Sequence, residues 1–299
     1  MQVTFKQLRY FIAAAQYSSV SEAARILCVS QPSISTAITQ LEDQLQQVLF
    51  LRGPGQPIKL TDAGRFAYER ALELQRQMEA FCQETLSFDG DLKGEITLGG
   101  FKDLAPFYLP GLIATFRERH RDVQVKLFEG DQMQMIDALH QGELDLALCY
   151  DLGEQPLLSQ QVLTALAPYA MLSAEHPLAA AESVSLSQLA QEPLIVENLP
   201  RTREYFDSLF ARFNLTAQMQ LQTSSFEMQR GLVAAGQGVA LSCTRPKGDL
   251  SYDGSAVCCL PLLEKIEPER VVLAHLTQVR QTRLVRDFSA CAQDYFAAL

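Results

Sequence analysis

What this chain lacks narrows its class before any motif is read. Across 299 residues no apolar run approaches the roughly 20 needed to cross a bilayer, so no membrane-spanning role is expected. The opening stretch, Met1-Gln2-Val3-Thr4-Phe5-Lys6-Gln7-Leu8-Arg9, has no apolar signal-peptide core, which makes a cytoplasmic location the expectation. The seven cysteines (28, 82, 149, 243, 258, 259, 291) are odd in number, scattered and mostly set in apolar runs, a pattern suited to a reducing compartment rather than a disulfide framework. His120, His140, His176 and His275 lie too far apart for metal-ligand spacing, so neither a metal nor a cofactor is expected. No glycine loop built to cradle phosphate occurs, and no nucleophile and base are grouped, so no catalytic residues are assigned and an enzyme is disfavoured.

What is present is a globular composition. Apolar residues make up 47% and charged residues 20%, enough for a large core, and the length favours two or three domains. A net charge of −10 argues, taken alone, against nucleic acid. Its distribution reverses that reading: residues 1–65 hold six basic and four acidic side chains, whereas the remainder holds 19 basic and 31 acidic. Phosphate binding needs only a locally positive face, and an acidic remainder limits adhesion elsewhere.

Three regimes follow one another. In the first, Leu8, Phe11, Ile12 and Ala15 form a helical stripe, Ser21 is read as the cap of a second helix, and Ser30 caps a third with Pro32 in its first turn. Ile34, Ala37, Ile38, Leu41 and Leu45 face inward on that third helix, and 52–60 reads as a turn-rich hairpin. The second regime is one helix from Thr61 to about Ser87, with more apolar positions than a solvated linker needs; it is read as a dimerisation helix, the alternative being a helix packed on its own domain. Phe88–Gly94 marks the clearest boundary. The third regime alternates strands and helices in two similar units. The first has strands at Glu95–Gly99, Val123–Phe128 and Leu144–Cys149, and the second at Leu194–Val196, Gln218–Leu221 and Val239–Ser242. Two β-α-β-α-β units imply two parallel-sheet lobes with right-handed crossovers; Val271–His275 returns to the first lobe, and 282–299 covers it as a helix.

A second helix that enters a major groove needs short polar side chains at its start, and Gln31, Ser33 and Thr36 stand there. Gln pairs with adenine, and Ser or Thr contacts bases or phosphates. An ordinary α-hairpin with a polar surface would fit the same spacing. The full string decides between them. Leu8–Ala15, Ser21–Leu27, Val29–Ser35, Gln40–Glu42, Leu49–Arg52 and Leu60–Gly64 together closely resemble the LysR-type transcription regulators, nearly end to end over the DNA-binding module. The resemblance implies an N-terminal all-α winged helix-turn-helix at 1–60, a linker and dimerisation helix at 61–90, and a C-terminal α/β effector domain at 91–299. That domain would consist of two Rossmann-like lobes similar to a type 2 periplasmic binding protein, lobe I spanning about 91–163 and 268–299 and lobe II about 164–267. It further implies double-stranded operator DNA as a partner, self-association to a dimer or homotetramer, and a small inducer bound between the lobes.

On this reading the DNA contacts are Ser21, Ser30, Gln31, Ser33, Ser35 and Thr36, with Arg52 and Lys59 from the wing. The chain departs from the family pattern in having Thr36 where Arg is usual, Gln46 where Gly is common, and a wing one residue longer with Gln56 near a common second Arg. The effector is expected at loops after parallel strands, where helix N-termini converge. The candidates are Gly100, Phe101, Lys102, Asp103, Glu129 and Tyr150 in lobe I, and Asn198, Arg201, Thr202, Ser225 and Phe226 in lobe II. Lys102, Arg201 and Arg203 near helix N-termini favour an anion such as a carboxylate, whereas Asp103 and Glu129 would receive an amine, so an amino acid also fits. Two other classes remain: a solute-binding protein, which would need a signal peptide and no residues 1–88, and a peroxide sensor using Cys243 with Cys258 or Cys259.

Overall fold

The computed structural model describes residues 3–51, 53, 57–86, 92–277 and 281–299. Its first three helices are α1 (Phe5–Gln16), α2 (Val20–Ile26) and α3 (Gln31–Leu45). A capping box starts α1: Thr4 accepts from the Gln7 N–H and the Gln7 side chain reaches back. The cap of α2 is Ser19 rather than the expected Ser21. Its hydroxyl accepts from the Glu22 N–H (3.2 Å), because Ser18 turns left-handed (φ 49) and restarts the helix two residues early. Ser30 does cap α3 by position, but its hydroxyl bonds Ser33 Oγ (2.7 Å) instead of the helix backbone. Phe11, Ile34, Ile38, Leu41 and Leu49 form the buried centre of this module.

The wing pairs β1 (Phe50–Leu51) antiparallel with β2 (Lys59–Leu60). Glu42 anchors its base, accepting from the N–H groups of Leu49 (2.8 Å) and Phe50 (3.2 Å). Helix α4 (Asp62–Leu86) follows, about 37 Å long at 1.5 Å per residue. Its start comes so close to the wing that a Cβ on Gly64 would lie 2.0 Å from the Leu49 carbonyl. One face buries Ala71 and Leu72 against α1, and the other leaves Phe66, Leu74, Met78 and Phe81 exposed. Residues 87–91, which hold most of the expected boundary, lie outside the described residues.

Two lobes follow. Lobe I begins with β3 (Gly94–Phe101), α5 (Ala105–Arg119), β4 (Val123–Gly130), α6 (Gln132–Gln141) and β5 (Leu146–Tyr150). The chain then passes through β6 (Leu158–Leu166) into β7 (Tyr169–Ser173), and lobe II continues with α7 (Leu186–Leu189), β8 (Pro193–Glu197), α8 (Pro200–Arg212) and β9 (Gln218–Thr223). After α9 (Phe226–Ala234), β10 (Ala240–Ser242) and β11 (Val257–Pro261), the chain returns through β12 (Glu269–Leu276) and ends in α10 (Arg283–Ala297). Neither sheet is purely parallel, as the two repeats had implied. Lobe I has the order β4-β3-β5-β12-β6, in which β12 runs antiparallel to both β5 and β6. In lobe II, β8 and β9 are parallel, a bridge from Leu194 to Val239 leads to β10, and β7 lies antiparallel to β10 and β11. The antiparallel strands are those through which the chain crosses between lobes, so they enter each sheet from the opposite end.

The end of α3 generates a prediction. Gln46 occupies the left-handed region (φ 51, ψ 38), where a side chain costs about 1 kcal/mol and glycine is at ease. Gln46→Gly is therefore expected to stabilise the N-terminal module by roughly 0.5–1 kcal/mol. Urea unfolding followed by circular dichroism measures this; a lowered midpoint would contradict it.

Candidate functional site

Two surfaces concentrate polar chemistry. The first is the start of α3, where Gln31, Ser33 and Thr36 are exposed and Ser35 is half-buried. Ser21, in the first turn of α2, donates to Gln31 Oε1 (3.2 Å) and so ties the exposed amide to α2; pairing with an adenine edge would use Nε2 as donor and the second lone pair of Oε1 as acceptor. Ser30 and Ser33 share one hydroxyl contact beside it. Lys59 is exposed on β2; Arg52 lies outside the described residues. The field here is weak, because Arg25 pairs with Glu22 (2.6 Å) and Arg65 with Asp62. Recognition therefore leans on neutral hydrogen-bonding groups.

The second surface is a cavity of about 280 Å³ between the lobes, near the lower end of the roughly 300–1,000 Å³ typical of ligand sites. The first two βα turns of the two lobes meet across it. Three polar contacts close it: Lys102 Nζ donates to the Ser224 carbonyl, Tyr150 Oη shares a hydrogen with Thr244 Oγ1 (2.6 Å), and Arg201 Nη1 donates to the Leu152 carbonyl (2.8 Å). Phe107 and Phe226 add an edge-to-face contact at 6.0 Å.

Four of the residues expected from sequence line this cavity: Asp103, Tyr150, Arg201 and Thr202. Phe101 lines a narrow recess behind Arg201 and Thr202. Gly100 packs beneath, where a Cβ would meet Ala105 Cβ at 2.6 Å. Lys102 and Phe226 join the lobes instead of lining the space, and Ser225 caps α9 through the Met228 N–H (3.4 Å). Glu129 and Asn198 are exposed outside the lining. The lining also holds Gln132, Asp151, Glu197, Tyr205 and Glu269, none of which had been singled out as effector contacts, and Cys243, which had been considered only for peroxide sensing. Glu197 carried the readable signal: an acid ending an otherwise apolar strand. The others depend on pairings between distant segments.

Charge in the cavity is one-sided. Asp103 and Glu197, one from each lobe, are both buried and face each other within hydrogen-bonding range. Burial, and then the neighbouring Asp103 charge, push Glu197 up to about 9, so at neutral pH it holds the proton that the pair shares. Burial likewise raises Asp103. Glu269 is pushed up to about 6, chiefly by burial and then by Asp151, which itself pairs with Arg270 (2.9 Å). Arg201 is the one cation of the lining, and among the described residues it forms no ion pair. Burial drives the Cys243 thiol well up, away from the thiolate that peroxide chemistry requires.

Comparison with known proteins agrees with this division. Residues 5–65 match the model of the bacterial regulatory helix-turn-helix protein, lysR family, and residues 89–297 match the LysR substrate binding domain. The chain is 31% identical over 239 residues to the HTH-type transcriptional regulator CatR of Pseudomonas putida, covering 79% of this chain and 81% of that one. The crystal structure of HinK, a LysR family transcriptional regulator from Pseudomonas aeruginosa, superposes with a TM-score of 0.67 at 34% identity, over 99% of both chains. A full-length OxyR variant from the same organism has the same fold, with a TM-score of 0.77 at 21% identity over 98% of each chain. No helix among the described residues is long and apolar enough to cross a membrane.

The carboxyl pair makes stability depend on pH. The unfolded chain loses the Glu197 proton near the ordinary value of 4.5, while the fold keeps it to about 9, so stability falls as pH rises through that window. Thermal melts between about pH 5 and pH 9 should therefore slope more steeply for the wild type than for Glu197→Gln. Parallel slopes would sink the assignment.

Proposed function

The chain belongs to the LysR family of bacterial transcription regulators, a family of DNA-binding proteins and not of enzymes, and from that premise we propose that it is a cytoplasmic, operator-binding regulator switched by a small molecule held between its lobes. The observation that carries this reading is the exposed Gln31, tied to Ser21 at the head of α3, on the same chain as a cavity between two lobes.

The division of labour follows the three regimes: 1–60 reads DNA, 61–90 pairs protomers and 91–299 senses. Gln31, Ser33 and Thr36 meet base edges, while Ser21, Ser30 and Ser35 set their orientation or reach phosphate. Arg52 and Lys59 grip the backbone through the wing. With so modest a local charge, one module binds weakly, and affinity comes from presenting two or four together. The exposed stripe of Phe66 (62%), Leu74, Met78 and Phe81 (65%) on α4 is the surface that pairs them, which extends to the dimer and the homotetramer. Within the cavity, Arg201 receives an anionic group of the effector, such as a carboxylate, and Thr202 and Tyr150 orient it. Lys102 and Phe226 act by holding the lobes together, Ser225 by capping α9, Gly100 and Phe101 by shaping the wall, and Glu129 and Asn198 from the rim.

Selection of bound duplexes from a random pool, followed by a mobility-shift assay on the selected site, tests this. Gln31→Ala should weaken the specific complex by about 5- to 150-fold, corresponding to 1–3 kcal/mol, while leaving non-specific binding almost unchanged. Lys59→Ala should weaken both and lower the slope of log K against log salt by about one. Phe66→Glu with Phe81→Glu should yield protomers that bind poorly even though each module is folded. Absence of specific retardation across a salt series would refute the regulator reading.

A further inference from the structure

We infer that the effector carries a protonated amine, received between Asp103 of lobe I and Glu197 of lobe II. The inference rests on the cavity being the effector site and names the chemistry of its acidic wall.

Three observations converge. Asp103 sits in the β3–α5 turn and Glu197 at the end of β8, so the pair straddles the seam between the lobes and lines the cavity on both sides. Each is more than nine-tenths buried, Glu197 retaining 5% exposure, yet among the described residues no N–H or O–H group donates to Glu197 Oε1. Two buried acceptors facing each other with no protein donor between them need a proton or a cation. The ammonium of Lys102, though near enough to influence both, is spent on the Ser224 carbonyl. The other charged groups around the space are Asp151, Glu204, Glu269 and Arg201, so carboxylates outnumber the single guanidinium, and Tyr150 and Tyr205 are neutral. A purely anionic ligand would meet one favourable charge and several opposed ones. A ligand with an ammonium at the acid pair and an anionic group at Arg201 meets both halves of the field.

The exchange balances. Empty, the pair holds one negative charge and one proton; the ammonium supplies three donors and a positive charge, and the shared proton leaves to solvent. The complex therefore has Asp103 and Glu197 both ionised around the cation, and each ligand bound releases one proton. Because the two acids belong to different lobes, the same exchange replaces a proton bridge by a ligand bridge across the seam.

Three compounds of equal carbon number separate the possibilities: butane-1,4-diamine, 4-aminobutanoate and succinate. Calorimetric titration of the full chain, in two buffers of different ionisation enthalpy at neutral pH, should show the diamine or the amino acid binding with release of about one proton. Affinity should rise about tenfold per pH unit from roughly pH 6 to pH 8. Glu197→Gln and Asp103→Asn should each weaken amine binding at least about tenfold, and Glu197→Gln, which replaces a group already uncharged, should remain folded and release no proton. Binding of succinate alone overturns the amine assignment while leaving the cavity an effector site. Binding of none of the three, amine binding without proton release, or the same signal from magnesium or potassium chloride also overturns it. Failure of the effector reading itself is a distinct result: no small molecule of any charge alters the DNA complex or melts the protein at higher temperature.

Discussion

Two passages of the chain between the lobes, β6 into β7 and β11 into β12, impose the constraint on which the rest of the structure depends. Each lobe could otherwise close as an independent parallel sheet. Because the chain leaves lobe I through β6 and comes back at β12, entering lobe II at β7, both sheets gain antiparallel strands. The parallel strands β3, β4 and β5 then face the corresponding strands of lobe II end to end. Their carboxyl ends, with the N-termini of α5 and α8, open into one shared space rather than onto two separate surfaces. Small molecules reaching that space touch both lobes at once, and only two strands connect those lobes.

Within this frame the chemistry of the cavity follows from where desolvation falls. The acidic remainder of the chain would be unremarkable if its carboxylates were all solvated, as most are. At the seam the geometry buries Asp103 and Glu197 together, and burial is the first cause of the upward displacement of both. A surface ion pair is worth little, but a buried pair of like groups stores a large preference for any donor that can stand between them. The seam is also held by bonds that involve no carboxyl group, Tyr150 to Thr244 and Arg201 to Leu152, so closure does not rest on the shared proton alone.

Much of this was legible in the sequence because helical periodicity and capping act locally. The limits of α5 and α6 follow directly from their apolar spacing, with Gly142 stopping α6 in a left-handed turn (φ 72). The start of α2 was misread because Ser19 and Ser21 are chemically equal caps, and only the backbone turn at Ser18 distinguishes them. Strands β6, β7 and β11 carried no usable signal: Leu158–Leu166 mixes polar and apolar residues on a mostly half-exposed edge, and β7 and β11 are short apolar runs that fit helix or strand. For the cavity, strand-end loops could be located but not the direction of each charge. Lys102 and Asp103 are neighbours in sequence; one reaches across to Ser224 and the other turns inward, a difference set by lobe II and invisible from the loop alone.

The same dependence on distant contacts governs how the two ends of the chain communicate. Helix α4 is part of the DNA-reading module through Ala71 and Leu72, yet one turn further on its Arg76 lies against lobe I. A Cβ on Gly142 would meet only the movable end of Arg76, 2.6 Å from Nε, so it is the left-handed backbone (φ 72) that favours glycine there. Asp145 attracts the guanidinium, while burial opposes its charge, and Gln16 of α1 donates to Glu143 (2.5 Å) in the same loop. The turn that ends α6 thus touches both α1 and α4. Since α6 begins beside the cavity, with Gln132 in its lining, one ten-residue helix spans from the effector space to the module that carries α3. A packed helix moves as a rigid rod rather than bending, so displacement of its cavity end must either carry the module with it or break these contacts.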